Sequence, residues 1–136
     1  MKPAYLDHIG IAVKKDSKLA SALAILGLPV TGQETVEREK VDTEWIPLPQ
    51  KPGNIELLQP TAADSTIQKF LDKSGRDGIH HLSFRVEDIK VISKKLTDAG
   101  FKLIYPEPKL GAHNCIVNFI HPQTTGGVLL EITQKN

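Results

Sequence analysis

Two histidines and two glutamates recur at nearly constant spacing. His8 stands in Leu6-Asp7-His8-Ile9-Gly10-Ile11-Ala12-Val13, and His81 stands at the matching place in Ile79-His80-His81-Leu82-Ser83-Phe84-Arg85-Val86. Glu56 stands in Asn54-Ile55-Glu56-Leu57-Leu58, and Glu131 follows it at almost the same offset in Leu129-Leu130-Glu131-Ile132. Imidazole nitrogens and carboxylate oxygens are the ligand types that suit a divalent ion such as Co, Mn, Ni, Zn or Fe. Four such ligands on an octahedral ion leave two positions for water or substrate, the arrangement Lewis-acid catalysis needs. A single strand histidine is more often a packed or surface residue, and a glutamate between aliphatics more often the wet side of an edge strand. The repetition in both halves favours one shared metal site over four unrelated residues.

The elements around these residues explain how they would meet. Tyr5 to Val13 alternates as a half-buried strand, with Ile9, Ile11 and Val13 on one face and His8, Gly10 and Ala12 on the other. Asp16 or Ser17 is placed to cap a helix carrying Leu19, Ala22, Leu23 and Leu26, which Gly27 ends. Strands are expected over residues 30–36, 41–48 and 54–58, with Pro47, Pro49, Pro52 and Gly53 turning the last connection. Ser65 or Thr66 starts a short helix through Ile67, Phe70 and Leu71. The second half replays the first: a strand over 79–86, an Asp88-capped helix through Ile89, Ile92, Leu96 and Ala99, then Gly100. Strands over 101–105, 115–120 and 128–133 follow.

Each half is therefore β-α-β-β-β, and the fold expected is α+β. Two pseudo-symmetric βαβββ modules, about 5–60 and 78–134 with a linker over 61–77, would form one domain with a cupped mixed β-sheet and helices outside. The aliphatic faces of the strands cover the helices. His8, Glu56, His81 and Glu131 all fall on the opposite, inner face, where an uncompensated carboxylate is costly and a cation offsets it.

The composition narrows the function classes. A formal net charge of +1 gives no electrostatic case for nucleic acid or a membrane surface as partner. One cysteine, Cys115, excludes an internal disulfide and fits a reducing compartment. No apolar run approaches a membrane span and no signal region precedes the first strand, so a cytoplasmic protein is expected. His80 alternates onto the helix side and reads as structural. His113, His121 and Trp45 read as loop or packing residues, and Cys115 as a small apolar filler. Arg85 shares the face of His81, placed to bind an anion or pair with a carboxylate.

Beyond these patterns, several segments resemble the methylmalonyl-CoA epimerase family of the vicinal oxygen chelate (glyoxalase-like) superfamily. They are Asp7-His8-Ile9-Gly10-Ile11-Ala12-Val13, Ile55-Glu56-Leu57-Leu58-Gln59-Pro60, Asp64-Ser65-Thr66-Ile67, Gly78-Ile79-His80-His81-Leu82, Gly111-Ala112-His113, Phe119-Ile120-His121-Pro122 and Gly126-Gly127-Val128-Leu129-Leu130-Glu131. The resemblance spans essentially the whole chain. The opening histidine motif is shared with glyoxalase I and dioxygenases; the doubled His80-His81, the Asp64-Ser65 after the first module, and the Gly-Ala-His and His-Pro segments discriminate more sharply.

The resemblance implies a divalent metal, cobalt first, held by His8, Glu56, His81 and Glu131. It implies epimerisation of (R)- and (S)-methylmalonyl-CoA through a stabilised enolate, an acyl-CoA as small-molecule partner, and a homodimer. Glu131 is then one acid/base. In some family members a glutamate on the second strand is proposed as the other; that position falls here on Thr43, with Glu44 one residue later. A one-residue shift along a strand reverses the face, so Glu44 serves as the catalytic partner of Glu131 only if a bulge re-aims it. Asn114, Gln123 and Thr124 are candidates to line the CoA arm. A glyoxalase I acting on a glutathione hemithioacetal, or a non-catalytic ligand-binding protein of the same fold, are the alternatives.

Overall fold

Alternating aliphatics form the strands as expected, and a computed structural model describes residues 2–50 and 53–136. Pro52, part of the expected turn, lies outside the described residues. The first module comprises β1 (Tyr5–Ala12), α1 (Leu19–Ile25), β2 (Gly32–Val36), β3 (Val41–Pro47) and β4 (Asn54–Pro60), followed by α2 (Thr66–Ser74). The second comprises β5 (Gly78–Arg85), α3 (Ile89–Asp98), β6 (Lys109–Leu110), β7 (Cys115–Ile120) and β8 (Leu130–Lys135). By tertiary contacts the chain divides into His8–His80 and Met1–Asp7 with His81–Asn136.

In the first unit the strand order is β2-β3-β4-β1. β1 runs parallel to β4, with Gly10 opposite Glu56, while β4–β3 and β3–β2 are antiparallel. α1 lays Leu19, Ala20 and Leu23 on Ile11, Val13, Ile46, Ile55 and Leu57, the face away from His8. α2 places Ile67, Phe70 and Leu71 on Ala12, Val36, Val41 and Leu58. Ser65 caps α2 by accepting from the Ile67 N–H at 3.1 Å, and the neighbouring Asp64 pairs with Lys40. The Asp-Ser motif is thereby accounted for by local structure. Ser17 accepts from the Leu19 N–H at 3.2 Å ahead of α1.

In the second unit the order is β5-β8-β7-β6, again with one parallel pair, Ser83 opposite Glu131, and antiparallel pairs outside it. Asp88 caps α3 through the Lys90 and Val91 N–H groups at 3.0 and 3.1 Å. Ile89, Ile92 and Leu96 pack on Val86, Ile116 and Ile132. Gly27 and Gly100 follow α1 and α3 at φ +85° and +94°. This is the left-handed stop for which both were singled out.

Two strand expectations are corrected. Residues 101–105 form no strand; Leu103 makes an isolated bridge to Ile120, and the Asn118 side chain bonds both the N–H and the C=O of Tyr105 at 3.0 Å. Pro106 and Pro108 lack the donors a ladder requires, so the pairing strand moves to the two residues of β6. The last strand begins at Leu130 rather than Val128, because Gly126 and Gly127, at φ +72° and +96°, turn the chain just before it.

Candidate active site

The parallel registers place each histidine–glutamate pair. In the first unit Glu56 is level with Gly10, and His8 lies two residues before Gly10 on the same face. His8 Nδ1 stands 3.2 Å from Glu56 Oε2, with the residues only 7% and 4% exposed. In the second unit Glu131 is level with Ser83, and His81 lies two residues before Ser83. A ring nitrogen of His81 and a carboxylate oxygen of Glu131 lie within 4.8 Å of one another, both residues 7% exposed. The same construction thus occurs twice: histidine, a small residue two positions on, and a glutamate beside that residue on the parallel neighbour.

Aromatic side chains complete each half. Trp45 pairs with Glu56 across β3–β4, and Phe119 pairs with Glu131 across β7–β8. The Trp45 ring lies on Gly32, where a Cβ would meet it at 2.7 Å. Phe119 meets His81 edge to face at 5.8 Å between ring centres. Sequence reasoning treated Trp45 as a packing residue and passed over Phe119. Phe119 follows Trp45 at nearly the offset that relates the other repeats, and that is the signal that could have paired them.

Ser83 also escaped notice. It is fully buried beside Glu131, and its hydroxyl has no hydrogen-bond partner among the described residues. In each unit a buried imidazole stands with a buried carboxylate, ligand types that fit a divalent cation. Buried carboxylates of this kind need a cation or several strong donors.

Glu44 does not join them. In β3 it pairs with Leu57 and with Gln33. That places it on the face of Ile46, Ile55 and Leu57, which α1 covers, rather than the face of Glu56. The register runs unbroken from Val41 to Pro47, so no bulge re-aims it. Its assignment as a site residue is therefore corrected.

Other residues have structural partners. Arg85 Nη2 bonds Asp7 at 2.7 Å and approaches Cys115 Sγ at 3.7 Å, so the carboxylate pairing holds. His121 Nδ1 accepts from the Gln123 N–H, and Thr124 donates to the His121 carbonyl, which ties the His-Pro segment into a capped turn. His113 is exposed at φ +58°. His80 packs edge to face on Phe70 at 5.1 Å, and burial lowers its imidazole from the ordinary 6.5 to about 4.

Comparison with known proteins agrees with this architecture. The sequence profile of the Glyoxalase/Bleomycin resistance protein/Dioxygenase superfamily matches residues 7–119. Ethylmalonyl-CoA/methylmalonyl-CoA epimerase from Cereibacter sphaeroides is 37% identical over 95% of this chain and 96% of its own. The crystal structure of methylmalonyl-CoA epimerase from Mycobacterium tuberculosis is 33% identical and superposes with a TM-score of 0.90 over 96% of this chain and 87% of its own. A variant of Streptomyces coelicolor methylmalonyl-CoA epimerase in complex with 2-nitronate-propionyl-CoA is 30% identical, with a TM-score of 0.88 over 96% of both chains. Among the described residues, no helix is long and apolar enough to cross a membrane. The twice-built histidine–glutamate plan and these full-length likenesses lead to one conclusion: the chain belongs to the Glyoxalase/Bleomycin resistance protein/Dioxygenase superfamily and, within it, to the methylmalonyl-CoA epimerase family.

Proposed function

We propose that this protein is a metal-dependent methylmalonyl-CoA epimerase in which His8, Glu56, His81 and Glu131 together hold one divalent cation. The observation that carries this reading is the recurrence, in both modules, of a buried histidine–glutamate pair in the same strand register. The family membership and the acyl-CoA analogue named with the Streptomyces relative support the substrate class. Mixed imidazole and carboxylate donors suit cobalt, with Mn, Ni, Zn or Fe as alternatives. The expected setting is a cytoplasmic homodimer.

The proton to be moved sits between a thioester and a carboxylate. The cation, when bound, supplies Lewis acidity that makes this proton easier to remove. Glu131 takes it or returns it on one side of the α-carbon. Inversion then needs a second proton carrier on the other side.

The test incubates a single epimer of methylmalonyl-CoA with metal-loaded protein in deuterated water. The reading requires deuterium at the α-carbon and appearance of the other epimer, both lost in Glu131→Gln. No exchange, with turnover of the methylglyoxal–glutathione hemithioacetal instead, would make the protein a glyoxalase I.

A further inference from the structure

The repeated histidine–glutamate plan differs between the units in one small residue. His8 corresponds to His81, and Glu56 to Glu131. Level with the glutamate on the parallel neighbour, the first unit has Gly10 and the second has Ser83. We infer that Ser83 is a positioning residue for Glu131: its hydroxyl donates to one carboxylate oxygen and so holds the other for the α-proton. The inference rests on the epimerase reading above and concerns contacts within the second unit alone.

Ser83 is fully buried, and its hydroxyl has no hydrogen-bond partner among the described residues. A buried hydroxyl without a partner costs free energy, and an alanine of nearly the same size avoids that cost. Packing alone therefore gives no reason for the oxygen. The side chains that share its face narrow what it serves. Arg85, two residues on, is itself a donor and is bonded to Asp7 at 2.7 Å. Glu131 is an acceptor, 7% exposed, and level with Ser83 across β5–β8. Level residues on neighbouring strands share a face. With strands about 4.8 Å apart, a glutamate arm reaches a serine hydroxyl one strand away at the length of about 2.5–2.7 Å usual for an O–H donor on a carboxylate.

The two tasks given to Glu131 call for two positions of its carboxylate. In the structure one oxygen lies within 4.8 Å of a ring nitrogen of His81, the position that suits ligation, and Ser83 is not bonded to it. Proton transfer needs an oxygen aimed at the α-carbon instead. The terminal torsion of a glutamate is broad, so the carboxylate turns at little cost and places one oxygen on the Ser83 hydroxyl. The other oxygen takes the α-proton, the C–H electron pair stays on the substrate, and Ser83 keeps its own proton. Gly10 gives Glu56 no equivalent hydroxyl, which leaves Glu56 to ligation. The serine thus assigns proton transfer to one of two glutamates that are otherwise built alike.

The experiment compares wild type with Ser83→Ala in four measurements: α-proton exchange in deuterated water, steady-state kinetics, calorimetric titration with cobalt, and melting of the metal-free chain. In the variant, kcat and exchange should fall together by about 10–100-fold, the factor carried by a hydrogen bond to a charged group. KM and the cobalt Kd should stay within a few-fold of wild type. The metal-free variant should melt no lower than wild type, because it loses only an unpartnered hydroxyl. Exchange by Ser83→Ala at the wild-type rate would overturn the inference. So would a loss of exchange accompanied by a matching loss of cobalt affinity or of metal-free stability, since the serine would then act through packing. If wild type itself neither exchanges the α-proton nor interconverts the epimers, the epimerase reading falls, and this inference with it.

Discussion

Adding a divalent cation should raise the melting temperature of this protein, and His81→Ala should remove most of that gain. Glu56 and Glu131 are buried at 4% and 7% exposure, each near one histidine of its own unit. A cation that binds the folded chain alone stabilises it by RT ln(1 + [M]/Kd), about 2.7 kcal/mol at 100 times Kd. The chain has 136 residues. At about 2.1 cal/mol/K per residue, the unfolding entropy is about 0.29 kcal/mol/K, so the shift is about 9 °C. Losing a neighbour that merely orients a ligand lowers metal affinity about 10–100-fold, and losing a ligand costs at least as much. At the same cobalt concentration His81→Ala then binds near its own Kd, which leaves about 0.4 kcal/mol, or about 1–2 °C. Leu82 and Phe84 point away from the site and stay in place, so the metal-free variant should melt close to metal-free wild type. Thermal melts by circular dichroism, with chelator and then with cobalt, measure both shifts. Equal shifts in wild type and His81→Ala, or no shift with any divalent ion, would refute the four-ligand site.

Three further outcomes are expected. Glu44→Gln should leave both metal binding and turnover unchanged, because Glu44 shares the α1 face with Leu57; a loss of turnover in steady-state assays would show that β3 departs from this register. Leu57 is buried beneath α1, so Leu57→Ala should cost about 2–5 kcal/mol in denaturant unfolding while the cobalt-induced shift in melting temperature persists. His80 is held neutral to about pH 4 in the fold against about 6.5 unfolded, so the unfolded chain binds the extra proton between those values. Its contribution is complete above about pH 6.5 and is lost as the pH falls toward about 4, by about 3 kcal/mol. Denaturant unfolding of metal-free wild type and His80→Leu across this range should show the slope reduced in the variant.

Much of the architecture was legible locally. The near-constant displacement between the halves exposed two modules, and strand alternation assigned His8, Glu56, His81 and Glu131 to the faces opposite those that α1 and α3 cover; α2 packs on the His8 face, at Ala12 and Leu58. Asp88, Ser65, Gly27 and Gly100 marked helix ends. These features follow from residue-level rules: a period of two in strands, side-chain oxygens for free N–H groups, and glycine where φ is positive. Cross-strand register was not legible, because it is set by which distant segment packs alongside and with what offset. That offset put Glu44 with Leu57, brought Trp45 and Phe119 beside the two glutamates, and set Ser83 level with Glu131. The third strand of the second module moved for a related reason. Residues 101–105 have strand-like composition, but Pro106 and Pro108 interrupt the ladder, and Asn118 supplies a side-chain substitute for it. Alternation says which way a side chain points; only pairing between distant strands says what it points beside.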